Sequence, residues 1–285
     1  MKFRRIMTQI VGLFLILGLG ACMFANIVYR NADWLVMSRI DDFLDLNAKQ
    51  SDLIEPKVKD AVAYLKAERF PELIGLLDKL KMQLQEKKPI EPTVNEIDAL
   101  TAKVKVDLMD RLLPTAVELF TTLEAEQLAH LQESLEERNE ETVKFVEAKP
   151  ETYQELLQDE RDDRIDSYED WLGSVDQAMV DLILPLSRDQ SYYKARLDYR
   201  RRMQAMFVRN ITDYKSDKKA MSQFLRQWVK DPVSLGTEDD RIYVRKRREL
   251  WRGNMSKIVE SLSDSQRKHL VTEVSELIQK MRQLG

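Results

Sequence analysis

The sequence predicts an all-α protein. Gly and Pro number only 8 each in 285 residues, and a third of the chain is charged, a composition suited to long helices with one wet face. Apolar residues recur at i, i+3, i+4 and i+7 along most of the chain. Alternating Val, Ile, Thr and Tyr runs closed by Asn-Gly or Asp-Gly turns are missing. The expected architecture is an elongated multi-helix bundle or a curved helical layer of about nine helices.

The chain opens with Lys2, Arg4 and Arg5, then an apolar run at 10–20, then Ala21 and Cys22. A charged start, a short apolar core and small residues before a cut site make a secretory signal peptide. Leu19-Gly20-Ala21-Cys22 resembles a bacterial lipobox, in which the Cys is lipidated and becomes the first mature residue. Cys22 is the only cysteine, so no intramolecular disulfide can form. The next residue is Met23 rather than Asp, which resembles an inner-membrane retention signal at that place. The outer membrane follows, with the body on its periplasmic face. The competing reading is a signal anchor, because 10–28 stays apolar long enough for a ~30 Å hydrocarbon core. It makes this an inner-membrane helical protein.

Cleavage before Cys22 leaves 264 of the 285 residues and takes the formal charge from −4 to −7, since Lys2, Arg4 and Arg5 are lost. The expected division is a signal peptide at 1–21, a lipidated Cys with a short tether at 22–32, and a helical periplasmic domain at 33–285. That domain divides into two sub-bundles, if at all, near 87–92 or 149–152. The acidic balance and the periplasmic location both argue against nucleic acid as a partner.

Asp33 can cap the first helix, which places Trp34, Met37, Ile40 and Leu44 on one face. Pro56 and Pro71 lack a backbone N–H, so each is expected to open a new helix. Three pieces result: 47–55, 56–69 and 71–85. "EKKPIEP" (86–92) reads as a linker. A helix at 93–120 follows, with Pro114 as its kink, and then one across 123–148. After "KPET" (149–152) a helix runs to Pro185, acidic on one side, with Trp171, Val175 and Met179 on the other. The stretch 187–230 reads as one long helix with defects, and "DPVSLGTEDD" (231–240) as a loop. Two more helices end the chain.

"LEAEQLAHL" (123–131) and "LSDSQRKHL" (262–270) share Leu-x-x-x-Gln-x-x-His-Leu and hold both histidines of the chain. If Ser263 is an N-cap, Gln266 is the third helical residue. Ser-x-x-Gln is then a capping box, in which each side chain satisfies the other's backbone N–H. "LNAKQSDLI" (46–54) repeats this with Asn47 and Gln50. The middle copy has Glu124, a poorer capper, with Gln127, although Thr122 could move the start. A zinc site needs three or more ligands, usually with a close pair. His-x-x-x-His, His-Glu-x-x-His and a Cys partner are all missing. His130 near Glu126 and Glu133, and His269 near Glu273, therefore read as exposed or interfacial histidines beside acids, with no metal.

Two basic runs interleave aromatics. One holds Arg196, Arg200, Arg201, Arg202 and Arg209. The other holds Arg241, Arg245, Lys246, Arg247, Arg248 and Arg252. On a helix each run spreads around the axis rather than forming a stripe. Arg200–202 and 245–248 form a candidate basic surface, set against a solvated face paired with the acidic runs. Gly-x-Ser-x-Gly, P-loop, dinucleotide and metal motifs are missing, so no catalytic residue and no cofactor is expected.

The Leu-x-x-x-Gln copies resemble the signature repeat of the Spy/CpxP group of periplasmic helical proteins, over about nine residues each. That resemblance implies an all-α, dimeric, stress-linked protein and an ATP-independent chaperone activity. It carries over no client-binding residue. The first 80 residues resemble an uncharacterised proteobacterial lipoprotein family of the DUF6279 type. Tyr29, Asn31, Trp34, Leu35, Phe43, Gln50, Pro56 and Pro71 fit its pattern. Leu46 falls one residue late, and Tyr64-Leu65 replaces a Trp-His. This resemblance implies kinship, not an activity. The expected function is a non-catalytic, outer-membrane-anchored lipoprotein that binds a periplasmic protein or envelope component through helix faces. A homodimer is allowed. The alternative is a Spy/CpxP-like chaperone.

Overall fold

The computed structural model describes residues 32–184 and 189–284. The lipobox, Cys22, Tyr29, Asn31 and Pro185 lie outside the described residues. Every regular element described is helical, which matches the expected class. In chain order the helices are α1 (Ala32–Leu44), α2 (Ala48–Tyr64), α3 (Phe70–Gln85), α4 (Glu91–Thr122), α5 (Ala125–Glu137) and α6 (Glu140–Glu147). Then come α7 (Pro150–Leu172), α8 (Gln177–Ile183), α9 (Gln190–Asp213), α10 (Lys218–Lys230), α11 (Glu238–Ser261) and α12 (Asp264–Leu284). With α2 and α3 continuous through a π-turn, these make eleven helical bodies, more than the nine expected. No described helix is long and apolar enough to cross a membrane.

The differences from expectation have local causes. α1 begins at Ala32, so Asp33 sits inside its first turn, where its charge suits the helix dipole, rather than at the cap. Pro56 lies inside α2 and opens nothing. Pro71 does not divide the chain either. Its ring would strike the carbonyl four residues back, and the backbone widens instead into a π-turn at Leu65–Arg69, where Phe70 N–H donates to Leu65 O. Pro114 lies within the 32-residue α4. Gly173, at φ +77°, ends α7 and separates it from α8. Residues 214–217 divide the expected long helix into α9 and α10, the second capped by Asp217. The 231–240 loop holds a 3-10 turn at Pro232–Leu235 and a Thr237/Asp240 capping box that starts α11.

The π-turn has a structural result. It brings Tyr64 and Arg69 onto one carboxylate of α4, with Tyr64 Oη 2.9 Å and Arg69 Nη2 2.7 Å from Asp107 Oδ2. Burial alone would raise the Asp107 carboxyl. The hydrogen bonds from Tyr64 and Arg69 outweigh it and hold the group below its ordinary value. Arg111 lies 3.6 Å over the Tyr64 ring.

One buried cluster runs from Ala32 to Met281 and includes residues on both sides of 87–92 and of 149–152. In α3, Leu73, Leu77, Leu80 and Leu84 form a buried 4-3-4 ladder, each side chain stabilising by ~1.5–3 kcal/mol. α3 packs on α4 and on α12, and α4 packs on α10. Early and late helices therefore share one interior.

Candidate functional site: paired helix caps and a basic helix face

All three Leu-x-x-x-Gln copies start helices. Asn47 Oδ1 accepts from Gln50 N at 3.0 Å, and Gln50 Oε1 accepts from Asn47 N at 3.1 Å. Glu124 is the N-cap of α5, and its N–H donates to Gln127 Oε1 at 3.0 Å. Ser263 N donates to Gln266 Oε1 at 2.9 Å, and Gln266 N to Ser263 Oγ at 3.2 Å. The glutamines do more than cap their own helices, because all three are buried. Gln127 Nε2 donates to Leu44 O (3.0 Å), Asp45 O (2.8 Å) and Gln50 Oε1 (2.8 Å). Gln50 Nε2 donates back to Gln127 Oε1 at 3.0 Å. Gln266 Nε2 donates to Ser174 O at 2.9 Å. Each amide thus closes the N-terminus of its own helix, and Gln127 and Gln266 also close the C-terminus of a neighbour.

The histidines complete the same device. His130 Nε2 lies 3.3 Å from Asp42 O, and His269 Nε2 lies 3.4 Å from Asp170 O. Both acceptors belong to the last turn of a helix, where carbonyls lack intrahelical partners. With Nε2 carrying the proton, each ring donates to an orphan carbonyl. Ser134 Oγ adds a donor to Asp42 O at 3.1 Å. In the other copy the corresponding place is held by Glu273, 3.6 Å from His269 Nε2. Its carboxyl is raised above the ordinary value by burial and by Glu276, against His269. Among the described residues no His/Cys/Asp/Glu group has the makings of a metal site.

These contacts expose a relation that the motif alone does not give. α5 meets α1 as α12 meets α7, and α2 meets α4 as α8 meets α11. Asp42, Leu44 and Asp45 correspond to Asp170, Leu172 and Gly173. Asp45 and Gly173 both take positive φ, at 46° and 77°. Four helices, α1, α2, α4 and α5, thus meet one another as α7, α8, α11 and α12 do. The sequence carries the signal in "DLIEP" (52–56) and "DLILP" (181–185). The fourth helix start, with Asp176 accepting from Met179 N at 2.8 Å, was missed because Met179 stands where Gln50 stands in the first half.

The candidate basic surface separates into two parts. Arg200 is half-buried and donates to Arg138 O at 2.9 Å, the end of α5. Burial, then Arg196, lowers its pKa. Arg201 pairs with Glu136 through two nitrogens. Arg202 Nη2 lies 2.6 Å from Asp240 Oδ1, and the Asp240 side chain is only 1% exposed. These three arginines pin α9 to α5 and α11, and Arg201 and Arg202 keep about half of their side-chain surface exposed. Arg245, Lys246, Arg247 and Arg248 are exposed on α11. Within the second run, Arg241, Arg245, Arg248 and Arg252 fall at 4-3-4 spacing and line one cleft of about 360 Å³ with Asp231, Val233, Val244 and Glu249, while Lys246 lies off it on another side of the helix. Arg241 pairs with Glu238 at 2.9 Å and Arg252 with Asp98 at 3.1 Å. Among the described residues, Lys246 and Arg248 have no ion-pair partner.

A family described as of unknown function (DUF6279) matches residues 42–241. No curated protein and no solved structure matches the chain.

Proposed function

The chain belongs to the DUF6279 family of unknown function, and from that premise we propose that it is a non-catalytic, lipid-anchored envelope protein that binds its partner through helix faces. Cys22, the only cysteine, at the end of a lipobox-like stretch carries this reading. It assigns the anchor to the outer membrane and the helical body to the periplasm. The glutamines and histidines of the motif are used at helix ends, which supports a structural role for them. Labelling growing cells with radioactive palmitate tests the anchor. Label is expected on the unsubstituted chain and none on Cys22→Ser. Label retained after that substitution overturns the lipidation reading and leaves the signal-anchor alternative.

A second reading, ATP-independent chaperoning of unfolded periplasmic proteins, draws support from the Leu-x-x-x-Gln copies. Light scattering from an aggregating client separates the two. Suppression at equimolar protein favours the chaperone; unaltered aggregation favours a dedicated partner. Crosslinking in intact cells then names that partner.

A further inference from the structure

α11, like the acidic stretch 154–166 of α7, leaves a long run of side chains unburied. From Arg241 to Asn254 it places no side chain in the buried class. A helix in a globular protein is ordinarily held by a buried apolar stripe, and this stretch lacks one. Residues 241–257 carry Arg241, Arg245, Lys246, Arg247, Arg248, Arg252 and Lys257 with one carboxylate, Glu249; Arg241 and Arg245 pair with Glu238, and Arg252 with Asp98. The packed side of the helix is marked by Asp240, Met255 and Ile258. At 3.6 residues per turn, Ile242, Lys246, Leu250, Gly253 and Lys257 point away from it. Ile242 is 37% exposed and Leu250 is 47% exposed. A methyl group added at Gly253 would meet nothing within 4 Å. Lys246, Glu249, Leu250, Gly253, Asn254 and Lys257 together line a shallow concavity on this side.

We propose that this outward face of α11 docks on an anionic phospholipid surface. Ile242 and Leu250 enter the headgroup layer, and Arg245, Lys246 and Lys257 pair with phosphates. Large aliphatics flanked by long cationic chains suit a surface that is apolar below and anionic above, because Lys and Arg stems lie along the apolar layer while their charges reach the phosphates. Each such cation contributes to attraction by an anionic leaflet. The cations occupy two stripes, one along the cleft and one outward. Arg241 and Arg252 of the cleft stripe are already paired with Glu238 and Asp98, which leaves the outward stripe beside Ile242 and Leu250 for the phosphates. The Gly253 gap lets a headgroup approach the backbone. This deepens the envelope reading above but does not depend on the lipid at Cys22.

The test uses the full chain carrying Cys22→Ser and Leu250→Cys, labelled on its single thiol with bimane and held on vesicles by its N-terminal apolar run. Vesicles are phosphatidylcholine alone or with phosphatidylglycerol. On the anionic vesicles the emission is expected to move to the blue, and iodide quenching to fall several-fold. Half-molar salt reverses both changes, and Arg245→Gln with Lys246→Gln and Lys257→Gln abolishes them with helix content unaltered by circular dichroism. Equal shifts on both vesicle types, no shift on either, or a shift insensitive to salt overturns the proposal. A shift produced without vesicles by inorganic phosphate or by polyglutamate also overturns it, in favour of a free-anion site or an acidic protein partner. Because Cys22 is replaced throughout, a failed palmitate experiment leaves this result standing, and the reverse.

Discussion

Gln50 and Gln127, 77 residues apart, donate to each other through their side-chain amides at 3.0 and 2.8 Å. Each also closes a capping box at the start of its own helix. The two helix starts are joined through this amide pair. Truncating Gln127 removes a donor from Leu44 O and Asp45 O and leaves Gln50 Nε2 only its long contacts to Thr122, at 3.4 and 3.5 Å. Unsatisfied buried groups cost ~1–3 kcal/mol each, although relaxation and water recover part. Gln127→Ala is therefore expected to lower stability by about 3 kcal/mol in urea unfolding, and Gln50→Ala by about 2. The double variant is expected to lose less than the sum. Strict additivity would show that the amide pair does not couple the two starts.

His130→Ala and His269→Ala each remove one donor from a helix-end carbonyl at the long end of hydrogen-bond distance. A loss of about 1 kcal/mol is expected for each. Zinc is expected to leave the melting temperature of the unsubstituted chain where it was. A rise that vanishes with either alanine would restore the histidines as ligands.

Asp45 and Gly173 occupy equivalent left-handed positions, at φ 46° and 77°. A non-glycine residue there costs roughly 1 kcal/mol. Asp45→Gly is expected to stabilise by up to about that amount. Gly173→Ala is expected to destabilise by more, about 1–2 kcal/mol, because its new Cβ would stand 3.0 Å from His269 Cγ. Thermal melts of the two variants moving in the same direction would contradict the equivalence.

Burial raises the Asp240 carboxyl, but hydrogen bonds from Arg202 and Thr237 outweigh it and hold the group below its ordinary value. A lowered acid contributes stability above its unfolded pKa, near 3.9, and loses it as pH falls through the folded pKa. Acid unfolding of Asp240→Ala should therefore depend less steeply on pH below about 4. At neutral pH the variant is expected to be less stable by about 2–4 kcal/mol. An unaltered acid slope would place the pH dependence elsewhere.

The fold class and the capping residues were legible because composition, 3.6-residue spacing and capping boxes act over a few residues. Ser263 with Gln266 and Asn47 with Gln50 needed nothing beyond their own turn. Pro71 was misread because a proline shows only which backbone bond it forbids. Whether the chain breaks or widens into a π-turn depends on Asp107, waiting 38 residues along the chain for Arg69. Gly173 was overlooked inside an otherwise periodic run. The destinations of Gln127, His130 and Arg202 were not legible, since each donates to a group fixed by tertiary packing. The arginine stripe of α11 was hidden by the neighbouring Lys246 and Arg247, which make the run look scattered until 4-3-4 spacing is applied from Arg241.

α12 completes a surface begun by α3, and Arg282 reaches Asp78 across 204 residues at 2.7 Å. The leucine ladder of α3 has no finished cover until nearly the whole polypeptide has been made. Growth of the chain from the ribosome therefore runs well ahead of folding. The molecule is expected to reach its compartment as a pliable thread that closes late, and a stop codon only twenty residues early is expected to produce a chain for proteolysis rather than a slightly shorter protein.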